Sequence, residues 1–138
     1  MKEEDEPRIT GFQLYQFDDP RDLPYGSCVK EGYDCRYGVL LVCCSGRIGW
    51  GEILLTENQK YFDLAQWASF LQAFRQPTLL EAYATLDKNR EYWGATKSAL
   101  VRTALDDLRC RLGGEVPVRP AKDADALFEL CRAHYVIV

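Results

Sequence analysis

Arg36-Tyr37-Gly38-Val39-Leu40-Leu41-Val42-Cys43-Cys44-Ser45-Gly46-Arg47-Ile48-Gly49-Trp50-Gly51-Glu52-Ile53-Leu54-Leu55 is the stretch on which the fold turns. Its first half is apolar at odd and even positions alike, the pattern of a strand covered on both faces. Ser45-Gly46 then separates two strand-like runs, and a glycine there supplies the positive φ that a two-residue hairpin turn requires. The return strand is expected over Arg47–Leu55. Cys43 and Cys44 are adjacent in a strand, so they should face opposite sides of the sheet.

Upstream, Arg8–Phe17 carries Ile9, Phe12, Leu14, Tyr15 and Phe17, whose aromatic and β-branched content suits a strand. Asp18 to Ser27 is rich in turn formers, and its two prolines cannot continue a ladder, so a long exposed loop should join the first two strands. The opening run Lys2 to Pro7 is acidic and reads as a solvated tail covering residues 1–7.

Downstream the period becomes helical. Leu64, Trp67, Ala68, Leu71 and Phe74 recur at three and four, with Asp63 placed as N-cap and Gln76-Pro77 as the stop. Thr78 and Glu81 form a capping box ahead of Leu79, Leu80, Tyr83 and Leu86. The longest pattern runs from Thr96 to Leu112, with Leu100, Val101, Ala104, Leu105, Leu108 and Leu112 on one face. Gly113 and Gly114 can supply a left-handed cap. A last helix is expected from about Asp123 to Ala133, with His134 in its register, before a strand-prone end, Tyr135 to Val138. The sum is an α+β fold: a three-stranded antiparallel meander followed by a bundle of three to four helices packed on one face of the sheet.

With 138 residues, 47% of them hydrophobic, the chain can bury one core and forms one domain. A net charge of −4 offers no basic face for nucleic acid. No segment approaches the roughly 20 apolar residues needed to cross a bilayer, and no basic start precedes an early apolar run, so a soluble cytoplasmic protein without membrane contact is expected. Cys28, Cys35, Cys43, Cys44, Cys110 and Cys131 lack the spacing of zinc or redox motifs and read as reduced, small apolar residues. Asp106 and Asp107 diverge by about 100° around a helix and cannot both ligate one metal, and Asp18 and Asp19 have no third ligand at useful spacing.

Three motifs carry a resemblance. Gly49-Trp50-Gly51-Glu52 follows the hairpin turn, Ser98 to Leu112 contains Ala104-Leu105-Asp106-Asp107-Leu108-Arg109, and Glu115-Val116-Pro117-Val118 leads out of that helix. In this order they resemble the N-terminal capping domain of the enolase superfamily, in its mandelate racemase/muconate lactonizing enzyme branch. The likeness spans 8–118. Residues 119–138 form a helix and short strand that would begin a barrel, with no Lys-x-Lys pair following.

The resemblance implies a domain that selects substrate for a reaction performed elsewhere. Family members abstract a proton beside a carboxylate and stabilise the enediolate on Mg2+, using a Lys or His base and carboxylate ligands at the ends of barrel strands. On this reading the chain alone has no catalytic residue, no metal ligand and no cofactor, Mg2+ belonging only to a full-length relative. Its contribution would be two loops, Asp18–Asp34 and Ile53–Phe62, that close over a barrel mouth. Tyr25, Ser27, Leu54 and Thr56 are the candidate substrate-facing residues. Gly49, Trp50, Gly51, Glu52, Asp106 and Pro117 are the family-motif positions, Glu52 as a hydrogen-bonding partner within the cap. The partner would be a barrel domain, or a second copy covering apolar surface. The competing readings are a stand-alone binding or self-associating module with the same fold and, with little support, an enzyme using Cys28 or Cys35.

Overall fold

Ser45 and Gly46 both take positive φ, 51° and 74°, which matches the twist of the strands they join. They connect β2 (Arg36–Cys44) to β3 (Arg47–Thr56), paired antiparallel with Leu41 opposite Trp50 and Val39 opposite Glu52. β1 (Ile9–Phe17) lies on the other side of β2, with Tyr15 opposite Val39. The computed structural model describes residues 6–26, 29–30, 34–115 and 123–137.

The α+β class follows the sequence, but among the described residues the sheet has four strands. β4 (Ala133–Ile137) pairs antiparallel with β1, giving the order β3-β2-β1-β4. His134 therefore sits on a strand, not in helical register, and its ring stacks on Tyr15 at 6.1 Å and meets the edge of Phe128 at 5.0 Å. The periodicity of Leu127, Leu130 and Cys131 masked the change, because the helix there is short and strand pairing takes the chain over directly after it.

Alternation along the strands builds two cores. Phe12, Leu14, Leu40, Val42 and Cys44 face α1 (Leu64–Ala68), α2 (Leu79–Trp93) and α3 (Ala95–Leu112), and pack with Leu71, Leu86, Leu100, Leu105 and Leu108. Tyr15, Phe17, Tyr37, Val39, Leu41 and Trp50 face the other side, where Leu23 and Leu127 cover them. Leu127 belongs to α4 (Ala124–Leu130), so the helices are not confined to one face: three lie on one side of the sheet and α4 on the other. Both faces of β2 are thus buried, which is why its sequence does not alternate.

Local signals set the helix ends. Asp63 accepts from Gln66 N and starts α1, which tightens into a 3-10 turn, Ser69–Ala73, instead of continuing as one α-helix. The capping box of Thr78 and Glu81 forms in full. Asp123 caps α4, which ends three residues earlier than its sequence pattern suggests. Gly114 supplies the positive φ, 83°, after α3. The loop after β1 is less exposed than its composition implies, since a 3-10 turn at Pro20–Asp22 brings Leu23 into the second core.

Candidate functional site

Gly49 and Gly51 bring α3 directly onto the backbone of β3. A Cβ at Gly49 would stand 2.4 Å from the Ala104 carbonyl oxygen, and one at Gly51 would stand 2.8 Å from the Leu100 oxygen. The residues between and after them point to the opposite face, toward the loops. Trp50 packs into the second core, and its backbone N–H donates to Asp107 Oδ2 at 2.8 Å, which satisfies a donor on the edge strand of the sheet.

Asp107 also accepts from Arg111 Nε at 2.9 Å, one helical turn further on, and both side chains are largely withdrawn from solvent, at 19% and 17% exposure. Arg111 Nη2 reaches the Tyr25 hydroxyl at 3.4 Å. The Tyr25 backbone N–H donates to the Glu52 carboxylate, and its ring meets Trp50 edge-on at 6.3 Å. Burial raises the Tyr25 phenol above its ordinary range, and the Asp107 carboxylate adds to this while Arg111 opposes it. The first loop is therefore anchored where β3 meets α3. Charge-assisted bonds of this kind contribute about 1.5–3 kcal/mol each; Glu52 makes one to the loop backbone directly, and Asp107 acts on the loop through Arg111.

The second loop is held from the start of β2. Arg36 Nη1 donates to the Gln59 carbonyl at 2.6 Å and Nη2 to the Lys60 carbonyl at 2.8 Å, while the guanidinium lies 5.7 Å from the centre of the Phe62 ring. Arg36 also reaches Thr56 Oγ1 at 3.4 Å. An ion pair between Lys30 Nζ and Glu57 at 2.8 Å links the two loops, and the Tyr37 hydroxyl donates to the Lys30 carbonyl at 3.1 Å. Beneath them lies a cleft of about 540 Å³, lined by Asp18, Lys30, Asp34, Cys35, Arg36 and Tyr37 among others.

Of the residues expected to face substrate, Tyr25 and Thr56 stand in these two loop anchors, and Leu54 packs against the second core. None of the three lines the cleft. Ser27, Pro117 and Cys28 lie outside the described residues. Asp106 turns away from Asp107, taking the Tyr83 hydroxyl at 2.5 Å and Arg109 at 3.8 Å. The anchoring residues Arg36, Lys30 and Tyr37 belong to no motif, while Arg111 lies within the long-helix motif Ser98 to Leu112 without having been singled out. Only the spacing of four between Asp107 and Arg111 offered a sequence signal.

No group of three or more His, Cys, Asp or Glu gathers in a metal-holding arrangement among the described residues. Burial pushes the thiols of Cys43 and Cys131 upward, and hydrogen bonding to Glu115 does the same for Cys110, so these three are protonated, weak nucleophiles at neutral pH. No helix is long and apolar enough to cross a membrane among the described residues. Comparison with protein-family models, with characterised proteins and with solved structures finds no match.

Proposed function

We propose that this chain is a substrate-selecting cap of the mandelate racemase/muconate lactonizing enzyme type, acting on a barrel supplied from outside these residues. The observation that carries the proposal is the role of the Gly-Trp-Gly-Glu run: its glycines admit α3, its tryptophan carries Tyr25, and its glutamate accepts from the Tyr25 N–H. One four-residue motif thus joins sheet, long helix and first loop, which is what a lid mounted on a rigid base requires. The order of strand, loop, hairpin and three helices supports the same reading.

Among the described residues, no group of carboxylates fits the Mg2+ on which this chemistry depends. Asp106 and Asp107 face different partners, and Glu52 holds the loop backbone. No step through a metal is therefore assigned to this chain, and its chemical work is to bind, orient and exclude water.

A stand-alone binding module is the second reading, favoured by one observation: β4 closes the β1 edge and Leu127 of α4 covers the second face, so the chain shields much of its own sheet. The test is to read the frame beyond Val138 and its neighbours for a barrel with a Lys-x-Lys strand and spaced acidic residues, then assay that product on carboxylate substrates. The expected result is Mg2+-dependent turnover whose KM for different substrates shifts in Tyr25→Ala and Leu54→Ala. Racemisation or dehydration by the isolated chain would sink the cap reading, and so would the lack of any such barrel. A monodisperse monomer in light scattering would favour the second reading.

A further inference from the structure

We infer that Arg36 is a positioning residue that presets the second loop, so that Glu57–Phe62 meets a substrate as a fixed wall and not as a flap. The consequence for selectivity rests on the cap reading; the clamp itself does not.

At its far end Phe62 packs against the first core and lies 6.5 Å from the Trp67 ring, so it is the tip between Glu57 and Phe62 that needs a further hold. Lys60 and Tyr61 are exposed, Tyr61 at 82%, and neither belongs to a strand or helix. Yet two successive carbonyls, Gln59 and Lys60, converge on the two terminal nitrogens of one guanidinium, and Phe62 closes over the same group. A planar fork with fixed nitrogens can span two carbonyls at once, whereas a lysine ammonium presents a single point. Arg36 is itself anchored, being the first residue of β2 and paired with Thr56 across the ladder. The competing tie is the Lys30–Glu57 pair, but both side chains are substantially exposed, at 53% and 37%, and such a pair is screened by water and salt. The Arg36 bonds face solvent too, but they hold two backbone carbonyls where the ion pair holds only the Glu57 side chain, so the guanidinium fork sets the loop backbone.

The Lys60–Tyr61 peptide bond is a trypsin site whose carbonyl is one of the two that Arg36 holds, so cleavage there reads the clamp directly. A protease needs its substrate segment opened and extended, and the rate follows the population of the open loop. In Arg36→Gln, cleavage after Lys60 should accelerate by at least about tenfold, as expected when charge-assisted bonds are lost. Arg36→Lys should fall between Arg36→Gln and wild type, and Lys30→Ala should leave the rate near wild type. Should Arg36→Gln fail to fold, as judged by circular dichroism, Arg36→Lys carries the same test.

An unchanged rate after Lys60 in a folded Arg36 variant overturns the inference. A rise equal to that of Arg36→Gln in Lys30→Ala also overturns it, by giving the role to the ion pair. Equal acceleration at every tryptic site would show that Arg36 supports the whole fold, which overturns it as well. The assay needs neither barrel nor substrate, so a failure of the cap reading leaves its result standing.

Discussion

Replacing Gly49 with alanine is a direct test of how α3 meets the sheet. The added carbon would lie 2.4 Å from the Ala104 oxygen, 2.6 Å from Leu108 Cβ and 2.7 Å from Leu108 N. Two of these are backbone atoms of a helix, which no rotamer change can move. Ordinary contact begins near 3.4 Å, so α3 must retreat by about 1 Å. That retreat stretches the Trp50–Asp107 bond from 2.8 Å to a length at which it ceases to hold. Overpacking costs about 1–3 kcal/mol and the lost charge-assisted bond about 1.5–3, so a destabilisation of roughly 4 kcal/mol is expected. Gly51→Ala, with its closest approach at 2.8 Å, should cost about 2 kcal/mol. Gly38→Ala meets the buried Leu55 side chain, at 2.8 Å from Cδ2 and 3.0 Å from Cγ, which can shift where helix backbone cannot, and should cost about 1 kcal/mol. Urea unfolding followed by circular dichroism and tryptophan fluorescence reads all three, with the Gly49→Ala midpoint falling by roughly 2 M. A Gly49→Ala protein within about 0.5 kcal/mol of wild type, or no worse than Gly38→Ala, would refute the close helix–strand approach.

Three further outcomes are expected. Asp107→Ala removes the acceptor of the Trp50 N–H and the partner of Arg111, and should cost about 3 kcal/mol in urea unfolding while Asp106→Ala, on a half-exposed position, costs less. The phenols of Tyr15, Tyr25 and Tyr83 are all raised, chiefly by burial, so the folded state keeps protons that the unfolded chain releases near pH 10. Stability from these groups is therefore fully present below about pH 10 and lost as pH rises above it; urea midpoints between pH 8 and 11 should fall, and more shallowly in Tyr83→Phe. Leu127→Ala empties the centre of the second core, where the side chain is fully buried, and should cost about 3 kcal/mol; a loss under about 1 kcal/mol would show that α4 does not cover that face.

Strands, turn and caps were legible because each depends on neighbours in sequence. The positive φ at the Ser45-Gly46 turn, the Thr78–Glu81 box and the Asp63 cap are settled within four residues of chain. The two-sided apolar run of β2 announced burial on both faces, although not which elements would provide it. The Gly-Trp-Gly-Glu run could be quoted as a motif, but its physical meaning, the contact of bare backbone with Ala104 and Leu108, exists only when residues more than fifty apart meet.

Sequence alone determined β1 to β3, α2 and α3, the meander and the divergence of Asp106 from Asp107, since local dihedral preference and periodicity fix these before any long-range contact forms. Tertiary structure decided the fourth strand, the placement of α4 on the opposite face, and the hold of Arg36 and Asp107 on loop and edge backbone. A five-residue strand chooses its partner by which edge is free, and a guanidinium or carboxylate chooses by which buried carbonyl or N–H needs it; neither is written in local pattern.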